Sequence, residues 1–217
     1  MAASFEDAAA AIGRVRDGDT VMCGGFGLVG APVRLIEELL RSERRDLTVI
    51  SNNVGEPGKG LGALLRQGRL RCAIGSFFTS NPEVAAARRE GRLEVRLLPQ
   101  GTMSEAIRAG GAGIPAFYTP TGAGTMLAEG KETRTFEDGR EYVLERALHA
   151  DVALVHAHRA DRLGNLAYRG TARNFNPMMA TAAALVIAEV EHVVEVGELD
   201  PAEIVTPHLY VDVVVAP

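Results

Sequence analysis

Glycine stands at positions 24, 25, 27 and 30, in a stretch that reads Thr20-Val-Met-Cys-Gly-Gly-Phe-Gly-Leu-Val-Gly-Ala-Pro32. Glycines at this density let the backbone turn tightly and leave its N–H groups uncovered by side chains. Val21 to Cys23 ahead of them have the character of a buried strand. Pro32 behind them suits the first position of a helix, where a missing N–H costs nothing. Val33, Ile36, Leu39 and Leu40 then recur at helical spacing. A strand that feeds a glycine loop and a helix N-terminus is a place to hold an anion or an extended anionic ligand. The loop also satisfies the dinucleotide pattern G-x-G-x-x-G at Gly25, Gly27 and Gly30. That pattern needs a carboxylate about twenty positions on to hold a ribose. The second strand, Leu47 to Ile50, ends instead in Ser51-Asn52-Asn53, which argues against a nicotinamide or flavin.

Other chemistries find little support. There is no G-x-S-x-G elbow, and no lysine sits in the glycine loop as a Walker sequence requires. Cys23 and Cys72, the only cysteines, lie inside apolar strand segments and read as reduced, buried thiols. His156 and His158 would share one face of a strand. With no third ligand visible they read as locally hydrogen-bonded histidines, and no metal is expected. Most carboxylates have structural explanations. Glu105 closes a capping box from Thr102, Glu83 and Glu203 sit in first helical turns, and Glu37, Glu38, Glu90 and Glu94 fall on solvated faces. Glu129 and Glu145 stay open. The chain therefore offers a rim for holding a ligand without a convincing nucleophile or base.

The elements that must position this rim follow from the pattern along the 217 residues, which we expect to form a single domain, 1–217. Hydrophobic residues make up 47% and charged residues 24%, ordinary for a globular protein, and at a net charge of -5 nothing suggests a nucleic-acid footprint, so no nucleic-acid partner is expected. No apolar run approaches transmembrane length and no basic leader precedes residue 20, so a soluble, cytoplasmic protein is expected, with no membrane partner. A capping-box start at Ser4-Phe-Glu-Asp7 predicts a helix over 8–15. Strands are predicted at 21–23, 47–50, 72–78 and 93–98, with helices between them and after the last, the final one capped at Thr102. This alternation argues for an α/β fold: an open, mostly parallel sheet with helices on both faces. Ligands then sit beyond the carboxyl ends of the strands, where residues 24–27, Asn52, Asn53, residues 76–80 and Gln100 converge. The glycine-rich segment 110–124 reads as a long loop, and Asp138-Gly139 as a hairpin turn within 136–144. Further strands are expected at 152–157, 185–190 and 210–215, with a helix over 178–184.

The same residues carry a resemblance. Asp19-Thr-Val-Met-Cys-Gly-Gly-Phe-Gly-Leu-Val-Gly-Ala-Pro32 resembles the first signature of the family I coenzyme A transferases. Asp46-Leu-Thr-Val-Ile-Ser-Asn-Asn53, Leu98-Pro-Gln-Gly-Thr102, Ile107-Arg-Ala-Gly-Gly-Ala-Gly-Ile-Pro115, Ala128-Glu-Gly-Lys131 and Ala172-Arg-Asn-Phe-Asn-Pro177 continue it in order. Together they are similar to the A (alpha) subunits of 3-oxoacid CoA-transferases, of the succinyl-CoA:3-ketoacid and 3-oxoadipate types. The resemblance implies a NagB/RpiA/CoA-transferase-like fold and an obligate B (beta) subunit as partner. In this family the nucleophilic glutamate lies in a Ser-Glu-Asn-Gly segment of that partner, and no such segment occurs here, so no catalytic residue is expected in this chain. The substrates implied are a coenzyme A thioester, succinyl-CoA, and a 3-oxo acid, acetoacetate foremost, with no permanently bound cofactor. Gly24, Gly25, Phe26, Gly27, Leu28, Val29 and Gly30 would contact coenzyme A or shape its pocket. Asn52, Asn53 and Gln100 would line the carboxylate pocket. Segments 51–55 and 110–119 look like the acetoacetate enzymes, 129–134, 148–151 and 197–201 equally like the 3-oxoadipate ones, and 79–83 like the acetate/acetoacetate transferases. A reading of a different class, a stand-alone coenzyme A or nucleotide-binding module without transferase activity, stays open.

Overall fold

A computed structural model describes residues 2–217. The first half alternates as β1 (Ser4–Phe5), α1 (Ala8–Ile12), β2 (Thr20–Cys23), α2 (Val33–Arg41), β3 (Leu47–Ile50), α3 (Leu61–Arg66), β4 (Leu70–Gly75), α4 (Pro82–Arg89), β5 (Glu94–Leu97) and α5 (Gln100–Gly111). The second half adds β6 (Ala116–Thr119), β7 (Thr133–Thr135), β8 (Glu141–Arg146), β9 (Ala150–Asp161), β10 (Leu166–Ala167), α6 (Asn176–Thr181), β11 (Ala183–Val194) and β12 (Val213–Val215). The main sheet runs β1-β12-β11-β9-β2-β3-β4-β5, with β10 paired to β9 outside this path. Every pair along the path is parallel, and only β10 is antiparallel.

Both faces of this sheet are buried, as a parallel sheet with crossover helices requires. Side chains alternate across it. Val21, Cys23, Val49, Ala73, Val152 and Leu154 pack with α1 to α4, through Ile12, Leu35, Leu39, Leu64 and Val84. Met22, Ile50, Cys72, Ile74, Ala153 and Val155 pack with α5 and α6, through Met103, Ile107 and Met179. The two cysteines therefore lie on opposite faces, both free and buried. The expected α/β architecture is the observed one.

A separate antiparallel sheet, β6-β8-β7, stands off the main one. Its hairpin turns at Asp138-Gly139 as expected, with Thr135 opposite Glu141. Phe136 packs edge to face against Tyr118 and Tyr142, at centroid distances of 5.3 and 4.9 Å.

Several expectations need correction. Ser4 and Phe5 form a strand against Val213 and Val214, and α1 starts after Asp7, whose carboxylate accepts from Ala10 N. Pro32 precedes α2 as its cap residue rather than entering it. The capping box at Thr102 does not form: α5 begins at Gln100, Thr102 is buried within it, and Glu105 pairs with Arg108 instead. The supposed loop over 110–124 contains the end of α5 and all of β6. The third expected strand begins earlier, at Leu70, and stops at Gly75. The 152–157 and 185–190 segments are the middles of twelve-residue strands. The helix expected over 178–184 spans Asn176–Thr181, and the last strand is shortened to Val213–Val215 by a 3-10 turn at His208–Tyr210.

Candidate functional site

β2 lies beside β9 at the point where strand order changes direction, the place where such sheets open a crevice at their carboxyl ends. The glycine loop leaves β2 there. Gly24 N donates to Leu154 O of β9 at 3.0 Å, and Gly25 N donates to Asn174 Oδ1 at 3.0 Å. Phe26 and Val29 exchange backbone hydrogen bonds of 3.0 and 3.3 Å, folding residues 26–29 into a small hairpin. Phe26, Leu28 and Val29 are exposed on it. Gly27 at the tip has φ +62° and Gly30 at the base φ +67°.

Two asparagines hold this hairpin, and sequence reasoning assigned neither a role. Asn176 is fully buried; its Nδ2 donates to Gly30 O at 2.9 Å and Ala172 O at 3.0 Å, while its Oδ1 accepts from His156 N at 2.9 Å. Asn174 Nδ2 donates to Val29 O at 3.0 Å. A side chain on Gly24 would overlap the Asn176 carboxamide, so glycine is required there by close approach. The alternating Asn-x-Asn before Pro177 was the available signal.

The helix N-terminus behind the loop is not open to a ligand. Leu35 N, in the first turn of α2, donates to Glu189 Oε2 at 3.0 Å. Glu189 comes from β11, is buried, and has its other oxygen 3.5 Å from Arg34 Nε. A carboxylate of the chain itself thus occupies the site that an external anion was expected to take. Among the described residues, the amides of Gly27, Leu28 and Gly30 donate to no other group, so the donors that the loop can offer are at its tip and base.

Asn52, Asn53 and Gln100 are brought together. Asn53 Nδ2 donates to Asn52 Oδ1 at 3.1 Å, and Asn52 Nδ2 donates to Gln100 Oε1 and Ser76 Oγ, both at 3.0 Å. Asn52 is 1% exposed, whereas Gln100 at the start of α5 faces solvent. Gly55 N donates to Asn53 Oδ1 at 2.8 Å and fixes the turn after β3. A cleft of about 190 Å³ lies between Asn52, Asn53 and Phe77 on one side and Phe26, Gly27 and Leu28 on the other. Glu56, also on its lining, is paired with Lys59 at 3.1 Å.

Neither thiol suits nucleophilic attack. Burial, with the nearby Glu189 charge, pushes the Cys23 thiol up to about 12, and burial raises that of Cys72. Glu145 forms a largely buried pair with Lys131 at 2.6 Å, while Glu129 follows a 3-10 turn at Met126–Ala128. His158 Nδ1 lies 2.7 Å from Glu191 Oε2, and this bond, ahead of the neighbouring imidazoles, holds the Glu191 carboxyl below its usual range. Glu191 and His192 are partners that no spacing within 156–158 could reveal.

A ligand-holding α/β protein is what this fold and rim define: a glycine hairpin and neutral amides around a cleft, with no activated nucleophile among the described residues. A family model for Coenzyme A transferase matches residues 5–217. The chain is 54% identical over 209 residues to the A-type subunit of a succinyl-CoA:3-ketoacid coenzyme A transferase of Xanthomonas campestris, covering 96% of this chain and 86% of that one. It is 51% identical over 215 residues to the A-type subunit of a 3-oxoadipate CoA-transferase of Pseudomonas putida, covering 98% and 93%. An acyl-CoA transferase of Escherichia coli O157:H7 superposes with a TM-score of 0.89 at 20% identity, covering all of this chain but 47% of that longer one. The chain belongs to the coenzyme A transferase family. Within it, the chain aligns almost end to end with subunits of the A type, as a component of a transferase enzyme.

Proposed function

We propose that residues 1–217 act as a single domain, the A-type component of a heteromeric, cytoplasmic 3-oxoacid CoA-transferase. It moves coenzyme A from succinyl-CoA to a 3-oxo acid, with acetoacetate the leading acceptor and 3-oxoadipate the next. A partner of the B type supplies the nucleophilic glutamate. That carboxylate attacks the thioester carbonyl, releasing coenzyme A thiolate and leaving an acyl-glutamyl anhydride. The thiolate then attacks the glutamyl carbonyl, giving a glutamyl thioester and free succinate. The 3-oxo acid carboxylate runs the same two steps in reverse and leaves as its thioester.

The observation that carries this reading is the pair Asn52 and Asn53 facing the glycine hairpin across the cleft, with Gln100 joined to them through Asn52. Gln100 Oε1 is engaged by Asn52, which leaves its Nε2 free to donate to a substrate carboxylate. Neutral donors can stabilise a developing oxyanion without protonating a carboxylate nucleophile. Residues 24–30 would hold the thioester end of coenzyme A through the free amides of the hairpin and the apolar faces of Phe26, Leu28 and Val29. Coenzyme A is substrate in this scheme, with no resident cofactor.

The test is to purify the chain with and without its partner and assay succinyl-CoA against acetoacetate, 3-oxoadipate and acetate. Activity is expected only with the partner. Gln100→Ala should lower kcat/KM for the acceptor acid roughly ten- to hundredfold, the worth of one hydrogen bond to a carboxylate, and cost about 1 kcal/mol of stability because Asn52 loses a partner. Full activity from this chain alone, or an unchanged kcat/KM in that variant, would overturn the assignment.

A further inference from the structure

β9 and β11 are twelve residues each and stay in parallel register to their ends, with Asp161 opposite Val194. This pairing gathers side chains that the sequence separates by more than thirty positions. His158 Nδ1 is 2.7 Å from Glu191 Oε2, and Glu191 Oε1 is 3.5 Å from His156 Nε2. The rings of His158 and His192 meet edge to face, with centroids 5.3 Å apart. One ligand atom from each of His158, Glu191 and His192 lies within 4.8 Å of the others.

We propose that His158, Glu191 and His192 form a binding site for a divalent transition ion of the Zn²⁺ class, with His156 placed to become a fourth ligand. Two imidazoles and one carboxylate are the donor set that borderline ions take, and a single carboxylate is a poor site for Mg²⁺ or Ca²⁺. Tetrahedral bonds of about 2.0–2.1 Å put ligand atoms ~3.3 Å apart. Glu191 and His192 are exposed and His158 is half-buried, so their side chains have room to draw together on an ion. Neighbouring cations do not oppose the ion: Arg159 is paired with Glu203, and Arg162 with Glu195. Glu189, two residues back on β11, is committed to Leu35 and Arg34 and adds negative potential without competing as a ligand. The ion would tie the ends of two strands just beyond the backbone position where Asn176 grips β9. The site is separate from the amide cluster and does not depend on which acid the enzyme uses.

The experiment is Zn²⁺ binding to the chelator-stripped full chain at pH 7.5, by calorimetry and by metal content after dialysis, with Mg²⁺ as control. About one Zn²⁺ per chain is expected. His158→Gln and His192→Asn should each weaken binding roughly tenfold or more, whereas His149→Asn should not. Lowering the pH to about 5.5 should release the ion, since the imidazoles must be neutral to bind. If a variant fails to fold, Co²⁺ titration of the unaltered chain followed by NMR keeps the question decidable. Paramagnetic shifts at His158 and His192 support the site. Shifts confined to His149 and His208, or no Zn²⁺ retained by the unaltered chain, would overturn it.

Discussion

Gly24→Ala tests whether the glycine loop is held by the asparagine that touches it. A Cβ on Gly24 would overlap Asn176 Oδ1 and fall 2.6 Å from its Cγ. Asn176 makes three bonds of 3.0 Å or less, to Gly30 O, Ala172 O and His156 N. At about 1 kcal/mol each, Asn176→Ala should cost about 3 kcal/mol. Gly24→Ala should cost a similar amount, because the new methyl either expels the carboxamide from those bonds or displaces the end of β2. If the two positions acted independently, the double variant would lose about 6 kcal/mol. With the carboxamide gone, however, the methyl has room, and the double variant should lose about 3 kcal/mol, leaving a coupling of about 3 kcal/mol. Urea unfolding followed by far-UV circular dichroism, fitted with a shared slope, measures all four corners of the cycle. A double variant at the sum of the singles would refute the argument that Gly24 is glycine on account of Asn176.

Two further outcomes follow from the same loop and its floor. Gly27→Ala meets no atom within 4 Å and should cost only the left-handed backbone penalty, about 1–2 kcal/mol, whereas Gly30→Ala adds an overlap with Ala172 O and should cost more; urea midpoints in the reverse order would contradict the geometry. Cys23 gives a pH dependence. Its folded value is raised from 9.0 to about 12, so the unfolded chain loses its proton first. Its contribution to stability is complete below pH 9.0 and is lost as the pH rises towards about 12, so Cys23→Ala should flatten the alkaline fall in urea midpoint.

The parts of the fold that were legible in the sequence are those written in local runs. Thr20–Cys23 and Leu47–Ile50 are short apolar strands followed by turn residues, and their neighbours repeat that grammar. The convergence of Asn52, Asn53 and Gln100 followed from placing them at the carboxyl ends of strands of one parallel sheet, β3 and β5, with only β4 between them. What the sequence hides depends on remote contacts. Ser4 and Phe5 are exposed and belong to no apolar run, and they become a strand only because Val213 and Val214 lie alongside. Gly110 and Gly111 have the composition of a loop. They end a helix whose backbone presses on Leu148 O and Thr181, where any side chain would collide. His158 and Glu191 extend their strands beyond the apolar runs because each satisfies the other. Glu189 has the sequence character of an ordinary strand residue, yet the first turn of α2 rests on its carboxylate.

The pairing of β1 with β12 also orders events in time. Ser4 reaches Asp212, 208 positions away, so this edge closes a very long loop. β2 to β5 find their neighbours within a few dozen residues and can assemble while the chain is still being made. The first strand must wait with its backbone unpaired until nearly all of residues 2–217 have emerged. During synthesis, β1 is therefore made before β2 to β5 yet finds its partner after them.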